Sequence, residues 1–219
     1  MSLSPGRALL FLLALLASAF VWGWGSPTGT QAIIWLPTGI AIAGLWILGL
    51  EGWWLVALAA AIHRFTLHYD SSMILASALG STAEAVVGVL LLRRFGVRAS
   101  FGRLWDLVGL FVAAGLAPLA SMACSRIARG LLGSGFVTPH YSGWGGWWWM
   151  NALGVLVVVP LAGTWSDTRS LPVRARVLSE GLAIVAAVVG IIWLVLTLVE
   201  PGLMGIILLY LTLPVALYG

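Results

Sequence analysis

The stretch from Met73 to Leu92 reads MILASALGSTAEAVVGVLLL, and Arg93 and Arg94 close it. An uninterrupted apolar run of about 20 residues is long enough to cross the hydrocarbon core of a bilayer as an α-helix. Glu84 lies near the middle of this run, where an acidic side chain costs at least ~2.5 kcal/mol on insertion scales. This stretch therefore predicts a transmembrane helix that carries an acidic group at depth.

Small residues share one side of this helix with Glu84. Ala76, Gly80 and Gly88 are spaced from it in steps of four residues, so they lie on the same face. Small side chains let neighbouring helix backbones approach closely, so we expect the carboxyl group to face protein rather than lipid. Two interpretations stay open: a structural Glu84 that is neutralised by a proton or held by a Ser or Arg partner, and a group that is linked to a ligand or a signal.

The composition places the whole chain in a membrane. The 219 residues are 61% hydrophobic and 8% charged, with a mean hydropathy of +1.07, and soluble domains do not have such values. The formal net charge of +4 comes from arginines alone, without a basic soluble segment, so no nucleic-acid partner is expected. Cys124 is the single cysteine, which excludes an internal disulfide.

Continuous apolar runs recur along the chain, and they exclude the ten-residue alternation of a β-barrel. They predict an all-α, polytopic membrane protein, a bundle of eight transmembrane helices that forms one domain over residues 1–219. The predicted spans are 8–24, 31–49, 52–68, 73–92, 104–125, 147–165, 180–199 and 202–219. The lipid bilayer is thus the first expected partner of the chain.

The arginines predict the orientation of this bundle. With the N-terminus in the cytoplasm, eight arginines fall on the cytoplasmic side and three on the outer side. The eight are Arg7, Arg93, Arg94, Arg98, Arg103, Arg169, Arg174 and Arg176, and the three are Arg64, Arg126 and Arg129. Because cytoplasmic loops of membrane proteins carry the excess of basic residues, we expect both termini in the cytoplasm.

The chain lacks the common catalytic motifs: it has no P-loop, no Rossmann glycine fingerprint, no H-E-x-x-H pair and no G-x-S-x-G elbow. His63, His68 and His140 do not contain an i,i+4 pair of metal ligands. We therefore expect these residues to have no enzymatic activity, no catalytic residue, no metal site and no cofactor.

Polar and cationic side chains gather in the half of the bundle that is predicted to face outward. His63 and Arg64 lie near the outer end of the third span, Arg126 near that of the fifth, and Asn151 in the first turns of the sixth. Together with Glu84 they predict a polar pocket walled by aromatic residues, whose positive balance suits an anionic or carbohydrate-like ligand. An aromatic belt with snorkelling arginines is the alternative explanation.

Three stretches resemble, in order, motifs of the MASE1 family of integral membrane sensory domains. Residues 34–41, IWLPTGIA, resemble its W-x-P-x-G-(I/L)-A motif. Residues 78–85, ALGSTAEA, followed by LLLRR at 90–94, resemble L-G-N-x-x-E-A…L-L-R-R. Residues 148–156, WWMNALGVL, followed by VPL at 159–161, are similar to W-W-x-x-D-A-x-G-V-L…P-L.

The resemblance implies an eight-helix sensory domain of the bacterial inner membrane, of the kind that precedes histidine kinases, diguanylate cyclases and phosphodiesterases. In such proteins a cytoplasmic output domain follows the last helix, as in two-component and cyclic-di-GMP signalling, and the abrupt end at Gly219 fits that arrangement. Two departures concern polar groups: Asn151 stands where the family motif has an acid, and Ser81 where it often has Asn.

We therefore expect a sensory input module that recognises a small ligand or a partner membrane protein, or pairs as a homodimer, and relays the signal through its last helix to a kinase or cyclase. The residues expected to bind the ligand or carry the signal are Glu84, Asn151, Trp35, Pro37, Trp149, Arg126, His63 and Arg64. A structural or accessory subunit of a larger membrane complex and a small transporter remain alternatives.

Overall fold

The computed structural model describes residues 3–24, 34–131 and 143–168, and most of these residues are helical. The helices are α1 (Pro5–Trp24), α2 (Leu36–Leu48), α3 (Trp53–Thr66), α4 (Ser71–Arg94), α5 (Leu104–Leu131) and α6 (Gly143–Thr168). A 3-10 turn, Leu50–Gly52, joins α2 to α3. The expectation of an all-helical fold is confirmed for this part of the chain.

The first six predicted spans each coincide with one helix, whereas the predicted spans 180–199 and 202–219 lie outside the described residues. α2 begins at Leu36 rather than at residue 31, because Pro37 occupies its first turn, where a proline is tolerated. It ends at Leu48, and the next residue, Gly49, has a φ of +106°, which lies in the region that favours glycine. α5 continues beyond its predicted end at residue 125.

Three of the described helices are long and apolar enough to cross a bilayer, namely Ser71–Arg94, Leu104–Ala128 and Gly145–Ser166. The chain is therefore a multi-pass membrane protein. α2 and α3 are shorter, with 13 and 14 residues. At a rise of 1.5 Å per residue each extends about 20 Å, which is less than the roughly 30 Å of the hydrocarbon core.

Helix α4 packs against α2, α3 and α5, so it lies at the centre of the described bundle. Its buried residues include Ala76, Gly80, Glu84 and Gly88, which are the four-residue steps seen in the sequence. Glu84 is only 3% exposed. The expectation that its carboxyl group faces protein rather than lipid is confirmed.

The connection between α4 and α5 is held by one buried carboxylate. Asp106, in the first turn of α5, is fully buried and accepts hydrogen bonds from the backbone N–H groups of Arg98 (3.1 Å) and Arg103 (2.9 Å). The Arg103 guanidinium forms an ion pair with it at 3.0 Å and also donates to the carbonyl oxygen of Gly96. The arginine-rich connection is therefore folded onto the start of α5.

Candidate functional site

Four buried polar side chains, each from a different helix, meet beside the centre of α4. They are Thr38 of α2, Glu84 of α4, Ser121 of α5 and Asn151 of α6, and we call this group the polar junction. The Thr38 hydroxyl donates a hydrogen bond to Asn151 Oδ1 at 2.5 Å. The hydroxyls of Thr38 and Ser121 are the hydrogen-bonding neighbours of the Glu84 carboxyl group. The junction therefore links all four helices through polar contacts.

The start of α2 is pinned against α6 on the side of the polar junction. The backbone N–H of Trp35 donates to the carbonyl oxygen of Met150 at 2.8 Å. One helical turn further along both helices, a Cβ on Gly39 would overlap the carbonyl group of Gly154. Two facing glycines thus allow direct backbone contact, and this contact brings Thr38 next to Asn151.

The α4–α5 side of the junction is built from hydroxyls and a glycine. The Ser125 hydroxyl donates to the carbonyl oxygen of Ala76 at 3.1 Å. A Cβ on Gly80 would overlap the Ser125 hydroxyl and lie 3.1 Å from the Ser121 hydroxyl. Because the two helices touch at these positions, Ser121 is placed one turn along from that contact, opposite Glu84.

The Glu84 carboxyl group has an incomplete set of partners. Its oxygen Oε1 is buried and has no hydrogen-bond partner within the described residues. Within residues 3–24, 34–131 and 143–168, no charged side chain is among its bonding neighbours. A buried carboxyl oxygen without a partner is energetically unfavourable, and such groups mark functional sites when they lie inside a membrane.

An aromatic cluster adjoins the polar junction through the first turn of α2. The buried His63 ring of α3 lies edge-on to Phe20 of α1, with ring centroids 5.4 Å apart. Its centroid is 6.1 Å from that of Trp35, which precedes Thr38 by three residues. In the part of the chain that the structure describes, no three His, Cys, Asp or Glu residues are grouped as metal ligands.

The structure brings five of the eight predicted site residues to this region. Glu84 and Asn151 belong to the polar junction, whereas Trp35, Pro37 and His63 lie beside it at the start of α2 and on α3. The roles of all eight in ligand binding or signalling stay predictions.

The other three predicted site residues lie elsewhere. The Arg64 guanidinium is 5.2 Å above the ring of Tyr69. Arg126 and Trp149 are exposed on the outside of the described bundle. Each helical residue advances by about 100°, so Trp149, two residues before Asn151, points to nearly the opposite side. The sequence indicated their depth along the helix, but not their side of the helix.

Sequence reasoning missed Thr38, Ser121 and Trp148. The Trp148 indole N–H donates to the carbonyl oxygen of Gly115 at 2.8 Å and joins α6 to α5. Ser121 follows Pro118 by one helical turn, and Thr38 directly follows Pro37. For Thr38 and Ser121 the available signal was a hydroxyl within one turn after a proline in an apolar run, because proline frees backbone groups that need partners.

Comparison with known protein families identifies the family of this chain. The MASE1 family model matches residues 7–219, which is essentially the whole chain. The chain belongs to the MASE1 family. MASE1 domains are membrane-associated sensory domains, so the resemblance seen in the sequence is confirmed. Comparison with curated proteins and with solved structures finds no match.

The polar junction also joins the three stretches on which the MASE1 resemblance depends. Thr38 lies in residues 34–41, Glu84 in 78–85 and Asn151 in 148–156. These stretches are far apart in the sequence, yet their polar side chains meet at one point in the fold. The junction is therefore the candidate functional site of this MASE1 domain.

Proposed function

We propose that this MASE1 domain is a sensory input module that responds to a small ligand or a partner membrane protein at the polar junction. The observation that carries the proposal is the meeting of Thr38, Glu84 and Asn151, one from each MASE1-like stretch, inside the bundle. A merely structural contact in lipid would be met by small apolar residues at lower energetic cost.

The contacts of the junction suit a two-state response. Hydrogen bonds between membrane helices contribute on average only about 0.6 kcal/mol and at most about 1.7 kcal/mol. A stimulus that adds or removes one such bond would shift a two-state equilibrium by about 3- to 20-fold. The junction joins α2, α4, α5 and α6, so this shift would change how four helices pack.

We propose that the change in helix packing is transmitted to a cytoplasmic signalling domain. In this proposal the domain has eight transmembrane helices in a bacterial inner membrane, with both termini on the cytoplasmic side. The last helix relays the change to a kinase or cyclase domain. The arginine distribution and the family support this arrangement. In this proposal catalysis belongs to the output domain and not to these residues.

A reporter fusion tests the proposal in cells. Residues 1–219 are joined to a diguanylate cyclase domain, and cellular cyclic-di-GMP is measured for the wild type, Thr38→Val and Asn151→Leu. We expect both variants to change the output by about 3- to 20-fold at equal membrane abundance. Glu51→Gln is the matched control, since Glu51 is an exposed glutamate outside the junction.

The proposal is wrong if Thr38→Val and Asn151→Leu both leave the output at the level of Glu51→Gln. Purification of the chain in a fixed ratio with a larger membrane assembly, with no change in output for any variant, would instead favour an accessory subunit. Uptake of a solute by vesicles that contain only this chain would favour a transporter.

A further inference from the structure

The orientation of the Asn151 side-chain amide follows from its hydrogen bonds. Its Nδ2 donates to the backbone carbonyl oxygen of Trp147 at 2.8 Å. A carbonyl oxygen can only accept a hydrogen bond, so the amide nitrogen must face Trp147 and Oδ1 must face Thr38. The hydrogen between Thr38 and Asn151 therefore belongs to the Thr38 hydroxyl.

This assignment leaves Thr38 with nothing to donate to Glu84. A hydroxyl group carries one hydrogen, and Thr38 uses it for Asn151 Oδ1 at 2.5 Å. Thr38 then offers the neighbouring Glu84 carboxyl group only its oxygen lone pairs. An ionised carboxylate has no hydrogen and can only accept, whereas a protonated carboxyl group can donate to those lone pairs, so this arrangement favours a protonated Glu84.

The unpartnered oxygen of Glu84 leads to the same conclusion. Oε1 is buried and has no hydrogen-bond partner in the part of the chain that the structure describes. In an ionised carboxylate this oxygen would share a buried negative charge without compensation, which is far less favourable than a neutral carbonyl oxygen without a partner. A proton on the carboxyl group removes the charge and supplies the donor that Thr38 requires.

Other titratable groups do not provide a counter-charge at this point. On α2, α3 and α5, which pack against α4, the described titratable or charged side chains are His63, Arg64, Asp106, Cys124 and Arg126. None of the five is among the hydrogen-bonding neighbours of Glu84 in the described residues. His63 instead contacts Phe20 and Trp35, and Asp106 pairs with Arg98 and Arg103.

The packing around Glu84 favours an occupant as small as a proton. One turn before Glu84, a Cβ on Gly80 would overlap the Ser125 hydroxyl and lie 3.1 Å from the Ser121 hydroxyl, and one turn after Glu84 a Cβ on Gly88 would lie 2.5 Å from Ile42 Cδ1. The neighbouring helices are thus in direct contact with α4 on both sides of the acid. A proton is the one cation that needs no added volume there.

We propose that Glu84 is a proton-binding site, and that its proton starts a directed chain of hydrogen bonds that runs from Glu84 to Thr38, to Asn151 and to the Trp147 carbonyl. When Glu84 loses the proton, the Thr38 hydrogen turns to the carboxylate and Asn151 Oδ1 loses its donor. Thr38 of α2 then bonds to α4 instead of α6. The use of this change as a signal rests on the proposed sensory function, whereas the presence of a proton on Glu84 does not.

Infrared spectroscopy of the full chain tests the proton site directly. The chain is labelled with ¹³C in its glutamate carboxyl groups and studied at neutral pH in vesicles of phosphatidylethanolamine and phosphatidylglycerol. We expect a carbonyl band of a protonated carboxyl group that carries the isotope shift of glutamate. The band should remain in Glu51→Gln and be lost in Glu84→Gln, whose amide can still donate to Thr38.

Two results would overturn the proton site: a wild-type chain without the labelled band, and a band that persists in Glu84→Gln. If Glu84→Gln does not fold, Thr38→Val and Thr38→Ser decide the question. Valine removes the acceptor of the Glu84 proton, so the band should shift to higher frequency in Thr38→Val and stay in place in Thr38→Ser. An equal band position in both variants contradicts the proposal.

A separate experiment tests whether the proton on Glu84 acts as a signal. In the cyclase fusion, the output of the wild type and of Glu51→Gln should differ between neutral and alkaline medium, whereas Glu84→Gln should give a flat response. An infrared band with no pH-dependent output would leave the proton site intact and would reject the proton as the stimulus of the proposed sensor.

Discussion

Thr38 is the residue on which the polar junction depends most. Its hydroxyl donates to Asn151 Oδ1 and contacts the Glu84 carboxyl group, so one side chain bridges α2, α4 and α6. A hydroxyl can do this because it donates one hydrogen and accepts through its lone pairs. The residue is nearly isosteric with valine, which keeps the shape and removes both polar contacts.

Thr38→Val should therefore destabilise the folded chain by about 1 kcal/mol, since Asn151 Oδ1 loses its donor in a buried site. Thr38→Ser keeps the hydroxyl and is the matched control. Reversible unfolding in mixed detergent and lipid, followed by circular dichroism, measures the difference. Equal stability of the two variants would show that the Thr38 hydroxyl contributes nothing to folding.

At the scale of helices, close packing of α4 explains why an acid is tolerated in the bundle. Gly80 and Gly88 let α5 and α2 approach α4 on either side of Glu84, and lipid is kept away from the carboxyl group. The close approach depends on the absence of a side chain at these positions. A methyl group should be enough to disturb it.

Gly80→Ala should cost about 1–3 kcal/mol, because the added Cβ overlaps the Ser125 hydroxyl and the chain must shift to admit it. Gly145→Ala, in α6, is the control, since a Cβ there meets nothing within 4 Å. The same unfolding measurement compares the two. A stable Gly80→Ala variant alongside a destabilised Gly145→Ala would contradict this account of the α4–α5 contact.

The connection between α4 and α5 is held in place by a single residue, Asp106. Asp106→Ala should release it, because the backbone N–H groups of Arg98 and Arg103 lose their shared acceptor. We expect trypsin to cleave at these arginines several times faster than in the wild type, measured by mass spectrometry of the fragments. Glu51→Ala should leave the cleavage rate unchanged, and an unchanged rate in Asp106→Ala would contradict the anchoring role.

For the whole molecule, the arginine distribution leads to a prediction of sidedness. With both termini in the cytoplasm, the turn after α3 lies outside and the connection before α5 lies inside. Leu67 and Ser100 are exposed residues in these two segments, so each can carry a labelled cysteine. The native Cys124 is replaced by alanine to remove background.

Leu67→Cys should react with a membrane-impermeant maleimide in intact spheroplasts, and Ser100→Cys only in inverted vesicles. The ratio of labelling between the two preparations should invert from one variant to the other. The unsubstituted Cys124→Ala chain gives the baseline. The opposite pattern would place the N-terminus outside and would remove the proposed cytoplasmic exit of the last helix.

The membrane class, the helical fold, the MASE1 family and the inward orientation of Glu84 could all be predicted from the order of the amino acids. These predictions follow from the length of the apolar runs and the four-residue spacing of small residues, both of which are visible in the sequence. They also led to Asn151 and to the first turn of α2 around Trp35 and Pro37. No contact between helices was needed for any of these predictions.

Which polar groups meet could not be predicted from the sequence, because it depends on how the helices pack. Glu84, Asn151 and Arg126 all lie at a depth that allowed a shared pocket, but the rotation of each helix turns Glu84 and Asn151 inward and leaves Arg126 exposed. Rotation depends on how neighbouring helices pack, which contacts such as Gly39 on Gly154 establish. A hydroxyl such as Thr38 or Ser121 becomes part of a site only when that packing brings a partner within bonding distance.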